Sequence, residues 1–457
     1  MSLDKFFNPK SVAVLGASRN PGKPGHVIFR NFFEGDFKGK AYPVNPKAKE
    51  LFGQKCYKSV EDIPGPVDLA IIVVPAPIVP LALRQCGKKK IKAAIIISAG
   101  FKEIGNVKLE EEVKSIAKKY RIRLVGTNCI GIYDPYSGVD TIFNPRYKLE
   151  RPGKGEIAYI SQSGAIGTVM LDWMAMKGYK ISRFVSYGNE TDIGADELIE
   201  YLSKDKDTKV ICAYFEGMKD GRKFFEIARK LSHRKPIMVQ KGGTTTAGST
   251  AVQSHTGSLA GSAEIFSAAF RQAGIIQADD MEEMFDFARL LSTQPLPKGK
   301  RVQVITDGGG FGVMAVDGII KNGLELARME KKSVAGLKKK LPHYFVIKNP
   351  IDLTGNAESW HYAEAIDAAI KDPKVDMIIV IVLFQVPALT PEVTEVIIEA
   401  SKRSSKPIAV VASGGRYTEV LKKSLEAGGA PCFSYPARAA NAMGVLYNYT
   451  QYRRKHG

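Results

Sequence analysis

Ser11-Val12-Ala13-Val14-Leu15-Gly16-Ala17-Ser18-Arg19 holds a short apolar run that stops at a glycine. An apolar run with no polar alternation reads as a strand buried on both faces, and such strands belong to parallel sheets covered by helices. The same unit repeats outward at Ala41–Val44, Asp68–Val74, Ala93–Ser98 and Arg123–Val125. Helical segments lie between them, such as Leu109–Tyr120, where Val113, Ile116, Ala117 and Tyr120 mark one face. Strands alternating with helices predict a Rossmann-like, doubly wound α/β domain.

Two more stretches follow the same rule. A Pro-, Gly- and Tyr-rich passage, Tyr133–Gly155, reads as a linker. Beyond it come strands at Glu156–Ser161, Ile181–Ser186, Val210–Phe215 and Pro236–Gln240, with helices at Ala195–Ser203 and Arg222–Ser232. A Gly/Ser/Thr-crowded tract, Gly242–Gly261, precedes a helix from about Ser262 to Ala273. The segment Ser292–Lys300 reads as a second linker, and a third α/β stretch has strands at Arg301–Thr306, Met377–Phe384 and Pro407–Ala412. Its closing helix, Ala437–Tyr452, ends in Arg453-Arg454-Lys455, cations that suit a helix C-terminus. The expected domains are 1–135, 150–291 and 300–457, in keeping with a prior of about 150 residues per domain.

Composition narrows the partners. The 457 residues are 44% hydrophobic and 25% charged, which excludes collagen-like and wholly disordered chains. Lys and Arg number 66 against 47 Asp and Glu, a net charge of +19 that suits an anionic partner. No basic, aromatic-laced face points to nucleic acid. No apolar run approaches the ~18–20 residues of a membrane span, and Met1–Lys5 does not open like a secretory signal. Five scattered cysteines without a C-x-x-C pair fit a reducing cytoplasm and give no metal site.

Ligands of open parallel sheets sit beyond the carboxyl ends of the strands. Gly16, Ala17, Ser18 and Arg19 follow the first strand and precede a helix N-terminus after Pro24-Gly25, which suits a phosphate. The second strand ends in Asn45, Pro46 and Lys47 where a dinucleotide site for NAD has an acid, so a phosphorylated ribose is favoured: NADP or coenzyme A. Val74-Pro75, Ser98-Ala99-Gly100 and Asn128 continue the groove. Ser163-Gly164-Ala165 and Gly308-Gly309-Gly310 each open a helix with unpaired N–H groups, two further anion sites. Neither is a Walker A loop, and no G-x-S-x-G elbow occurs.

Of the six histidines, His255 stands apart inside Ser254-His255-Thr256-Gly257-Ser258. A long small-residue loop in a compact α/β stretch suits a moving or binding element, and neutral imidazole is a phosphoryl acceptor near neutral pH. Glu216, ending the strand Val210–Phe215, is a carboxylate placed to orient it.

Taken in order, Ser11–Ser18, Val44–Lys47, Gly126-Thr-Asn-Cys-Ile-Gly131, Ser161–Gly164, Tyr187-Gly-Asn189 and Ser254–Ser258 resemble the α subunit of ADP-forming acetate–CoA ligases, relatives of succinyl-CoA synthetase. The resemblance spans nearly the whole chain. It implies a Rossmann-like CoA-binding domain followed by two flavodoxin-like domains, the third carrying Asn349-Pro-Ile-Asp352. It implies the reversible reaction acyl-CoA + ADP + phosphate ⇌ carboxylic acid + ATP + CoA, a substrate-level phosphorylation. His255 would be the phosphohistidine, Glu216 its orienting acid, and Ser163–Ala165 and Gly308–Gly310 the two phosphate-facing helix starts. CoA would lie on Gly16–Arg19, Asn45–Lys47, Val74, Pro75, Ser98, Ala99, Gly100 and Asn128. ADP or ATP with Mg would be held mainly by a separate ATP-grasp β subunit, giving an α2β2 heterotetramer. Two other readings remain at this stage: an NADP-dependent oxidoreductase, and a non-catalytic CoA-binding regulatory subunit.

Overall fold

The computed structural model describes residues 3–248, 250 and 263–457. The chain forms two compact units, Met1–Gln277 and Ala278–Gly457.

The first unit holds two large sheets. In one, Lys40–Val44, Ser11–Leu15, Leu69–Ile72, Ala93–Ile96 and Arg123–Gly126 lie side by side in that order, all parallel. Val12, Val14, Ile71 and Ile95 are fully buried, as the unbroken apolar runs require. In the other, the parallel order is Ile276–Gln277, Ile237–Lys241, Val210–Phe215, Gly153–Ser161 and Lys180–Ser186. Gly131–Asp134 and Val139–Asp140 extend that sheet in antiparallel fashion. The passage 133–155 is therefore not the plain linker that its Pro and Gly content suggests. A buried charge cluster fixes part of it: Arg151 pairs with Asp140 at 3.2 Å and Arg183 with Asp134 at 3.2 Å.

The helix Gly164–Lys177 begins where Ser163 accepts the Ile166 amide through its hydroxyl, and ends at the left-handed Gly178. Both ends are thus coded locally. The second unit is a third sheet, with Arg301–Thr306 at its centre between Ile351–Asp352 and Met377–Ile381. Its last helix runs Pro436–His456, longer than the apolar pattern indicates, and Arg454 in its final turn donates to the Pro297 carbonyl at 3.2 Å. All five cysteines are buried and free. Among the described residues no helix is long and apolar enough to cross a membrane.

Candidate functional site

The first strand delivers its glycine to a crowded corner. Gly16 has φ +98°, and a β-carbon there would lie 2.2 Å from the Val73 carbonyl oxygen. Gly25, in the first turn of the helix Pro24–Glu34, approaches just as closely, its notional β-carbon 2.0 Å from the Gly16 oxygen. The helix start is thereby pressed onto the Gly16–Arg19 loop, with its orphan N–H groups beside it. Side chains fix the rest of the loop. His26 Nδ1 lies 2.9 Å from the Ser18 carbonyl, and Asn45 Nδ2 donates to the Ala17 carbonyl at 2.7 Å. The Lys47 amide donates back to Asn45 Oδ1 at 2.8 Å, closing the Asn45-Pro46-Lys47 turn. Ser98 Oγ donates to the Val74 carbonyl at 2.5 Å, tying the next loops together beside Pro75. Arg19 and Lys47 are exposed, and among the described residues neither is held in an ion pair. The loops named in the sequence therefore share one sheet edge, with two cations presented to solvent beside a helix N-terminus.

A cavity of about 560 Å³ gathers another part of the expected set: Ala99, Asn128, Ser163, Gly164, Ala165 and Glu216 all line it. Glu216 follows the strand Val210–Phe215 directly and is mostly buried. Its amide donates to Gln162 Oε1 at 2.7 Å, and buried Lys241 donates to its carbonyl at 2.7 Å. Tyr214 OH donates to Glu216 Oε1 at 3.3 Å. Burial, then the nearby carboxylate, pushes the Tyr214 hydroxyl well above its usual range, so it stays a donor. Backbone and carboxylate are both held, and the residue lines the cavity. His255 lies outside the described residues.

Residues that sequence reasoning did not assign also line this cavity. Asn189 Nδ2 lies 2.6 Å from Glu103 Oε2 and 2.8 Å from Glu110 Oε2, and Lys102 Nζ donates to the Asn189 carbonyl at 2.6 Å. Glu103 also accepts the Gly100 and Phe101 amides, at 2.6 and 3.1 Å. Burial works to raise its pKa, but the bonds from Asn189 and those amides outweigh burial and hold it below the usual carboxylate range. Tyr187-Gly188-Asn189 was visible as a motif; nothing in the spacing showed that it meets Glu103.

In the second unit Gly308 precedes the helix Gly309–Lys321 and no side chain caps it, so its first N–H groups are open. Two carboxylates sit close behind. A β-carbon on Gly309 would lie 3.1 Å from Asp352 Oδ2, and both Asp307 oxygens accept the Leu383 amide at 3.1 Å. Burial pushes the Asp307 carboxyl up to about 7. Its folded pKa lies above the unfolded one, so it favours the folded state at low pH, and that contribution is lost as pH rises between about 4 and 7. Asp307→Asn is therefore expected to stabilise this unit increasingly across that window, by up to about 4 kcal/mol above neutral pH. Denaturant unfolding of both chains across pH checks it; a constant difference would contradict it.

Residues 10–135 match the CoA binding domain family, 154–291 the succinyl-CoA ligase-like flavodoxin domain and 302–455 the ligase-CoA domain. The chain is 42% identical over 450 residues to the Pyrococcus furiosus acetate–CoA ligase [ADP-forming] II subunit alpha, covering 97% of each chain. The chain belongs to the ADP-forming acetate–CoA ligase family. It is an α-subunit member of that ligase family. It is also 42% identical to the Methanocaldococcus jannaschii acetate–CoA ligase [ADP-forming], of which it spans 62%. Among solved structures, the Ca. Korarchaeum cryptofilum acetyl-coenzyme A synthetase 1, in complex with phosphate and ADP, superposes with TM-score 0.93 at 40% identity, covering 99% of this chain and 98% of that one. Family membership decides between NADP and CoA in favour of CoA. Gly16–Arg19 and Asn45–Lys47 fall inside the CoA-binding match, Glu216 and His255 inside the flavodoxin-like match, and Gly308–Gly310 inside the ligase-CoA match.

Proposed function

We infer that this chain is the α half of an ADP-forming acyl-CoA synthetase, with domains 1–135, 150–291 and 300–457, acting in the cytoplasm. The observation that carries the reading is the single cavity where Ala99 and Asn128, from the CoA-binding sheet, face the start of the helix Gly164–Lys177 and Glu216. The Gly16 corner fits a CoA diphosphate: only glycine allows the close approach, and N–H groups and two exposed cations surround it. Asn45–Lys47 would take the phosphorylated ribose, and Val74, Pro75, Ser98, Ala99, Gly100 and Asn128 the thiol arm.

Phosphate bound by Ser163, Gly164 and Ala165 attacks the thioester carbonyl, forming a C–O bond and releasing the CoA thiolate. His255 then attacks the phosphorus of the acyl phosphate, expelling the carboxylate, and the phosphoryl group passes to ADP. Glu216 fixes the imidazole tautomer. Gly308–Gly310 is the second helix start that receives the phosphorylated ring. The nucleotide and Mg sit mainly on a separate ATP-grasp subunit in an α2β2 assembly. That division is supported by relative lengths: the chain spans 97% of a relative named as an α subunit but 62% of one named without a subunit.

Incubating the full chain, with the β subunit supplied, with acetyl-CoA and radiolabelled phosphate tests the reading. An acid-labile, base-stable label on this chain is expected. Absence of label sinks the catalytic role and leaves a regulatory CoA-binding subunit.

A further inference from the structure

Resting on that function, we propose that Asn189 is a positioning residue for the attack of phosphate on the thioester. It holds the Gly100 and Asn128 loops, which would carry the thioester, in register with the phosphate-facing helix start Ser163–Ala165. Asn189 comes from the sheet that carries this helix, on the turn after the strand Lys180–Ser186. It reaches both thioester loops at once. Asn128 Nδ2 donates to Asn189 Oδ1 at 3.3 Å, and Asn189 Nδ2 donates to Glu103 Oε2 at 2.6 Å. Glu103 passes the restraint on, because its other oxygen accepts the Gly100 and Phe101 amides at 2.6 and 3.1 Å. Glu110 Oε2 and Thr127 Oγ1 lie 2.8 and 3.1 Å from the same Nδ2. Asn189 is buried, so water competes little for these bonds.

The turn itself is seated by its backbone. Gly188 has φ +57°, and a β-carbon there would lie 2.2 Å from the Asn128 carbonyl oxygen and 2.3 Å from that of Thr127. The Asn189 amide donates to the Thr127 carbonyl and the Thr191 amide to the Gly126 carbonyl, both at 2.9 Å. Lys102 Nζ donates to the Asn189 carbonyl at 2.6 Å. All of these survive a change of the Asn189 side chain, so its removal leaves the turn in place and frees the two loops. Without that amide Glu103 and Glu110 face one another as like charges, which drives the Glu103 side chain off the Gly100 and Phe101 amides. Misplacing a reacting group by about 1 Å costs about 10²-fold in rate. None of the named bonds reaches Gly16–Arg19 or Asn45–Lys47, where the CoA nucleotide is proposed to sit. None reaches Glu216 or Gly308–Gly310 either.

The full chain, with the β subunit supplied, is labelled by two routes: from acetyl-CoA with radioactive phosphate, and from ATP and Mg with the label on the terminal phosphate. Only the first passes through the thioester, and wild type is expected to label by both. Asn189→Ala is expected to slow the first route about 100-fold at saturating acetyl-CoA and to leave the second unchanged. Its CoA affinity, read by calorimetric titration, is expected to stay within about threefold of wild type. Glu103→Gln keeps the shape but sets an amide donor against either Asn189 or the Gly100 and Phe101 amides. It is expected to slow the first route about tenfold and spare the second, and it covers the case in which Asn189→Ala does not fold. A first route at wild-type rate in the folded Asn189→Ala chain, or in Glu103→Gln where that chain does not fold, overturns the assignment. Equal losses by both routes make Asn189 structural, and CoA affinity falling in step with the rate makes it a binding residue; either overturns the proposal. So does unfolding of both variants. Wild type labelled by neither route, or from ATP alone, fails the underlying function and the assignment with it; wild type labelled by both, with the variants unmoved, fails the assignment alone.

Discussion

Replacing His255 by alanine is expected to remove the acid-labile label completely, and replacing Glu216 by glutamine to slow labelling about 10²–10³-fold while the chain stays folded. The asymmetry follows from the two roles. The imidazole is the acceptor itself, and no other group is proposed to replace it. The carboxylate holds the ring in one tautomer and compensates the charge that develops when phosphorus is attacked. Glu216 is built for holding rather than reacting. Its amide is anchored on Gln162, its carbonyl on Lys241, and Tyr214 OH fixes one carboxylate oxygen. Glutamine retains the backbone anchors and an acceptor for Tyr214, so the loss reads the missing charge rather than a missing fold. Rapid-quench labelling of the three chains, with circular dichroism as the control for folding, measures it. Full-rate labelling of the Glu216→Gln chain would remove Glu216 from the reaction, and label on the His255→Ala chain would move the acceptor elsewhere.

The sequence reading succeeded where a single segment encodes its own state. Val210–Phe215 and Arg301–Thr306 end at the residues read from their apolar runs, and Ser163 caps the helix that its position implies. Each of these is decided within a few residues. The passage 133–155 failed because its strands are short: Val139–Asp140 pairs only with Gly131–Asp134, which in turn owes its place to the distant Lys180–Ser186, as Asp134 owes its ion pair to Arg183. The same cause hid part of the site. Glu216 and Ser163–Ala165 were legible because strand ends are where parallel sheets place chemistry. Lys102 and Glu103 were not, nor was their meeting with Asn189, because Glu103 and Asn189 are 86 positions apart and come together only once two loops meet.

Gly16→Ala is expected to weaken CoA binding at least about tenfold and to lower the unfolding temperature of the chain by roughly 5–15 °C. Two costs combine. A φ of +98° is one that an L side chain rarely adopts, at about 1–3 kcal/mol. The added methyl also meets backbone, 2.2 Å from the Val73 oxygen and 2.8 Å from its carbon. Backbone cannot rotate away, and this backbone is tied: the Val73 amide donates to the Leu15 carbonyl at 2.8 Å and the Gly16 amide to the Val44 carbonyl at 3.0 Å. Relief must therefore come from moving the Gly16–Arg19 loop, which carries Ala17 away from Asn45 and the helix start away from the proposed diphosphate. Calorimetric titration with CoA below the unfolding temperature, alongside thermal unfolding, separates the two effects. A less stable chain that still binds CoA at wild-type strength would keep the strain and relocate the nucleotide. A chain unchanged in both would mean that the corner has room the geometry denies it.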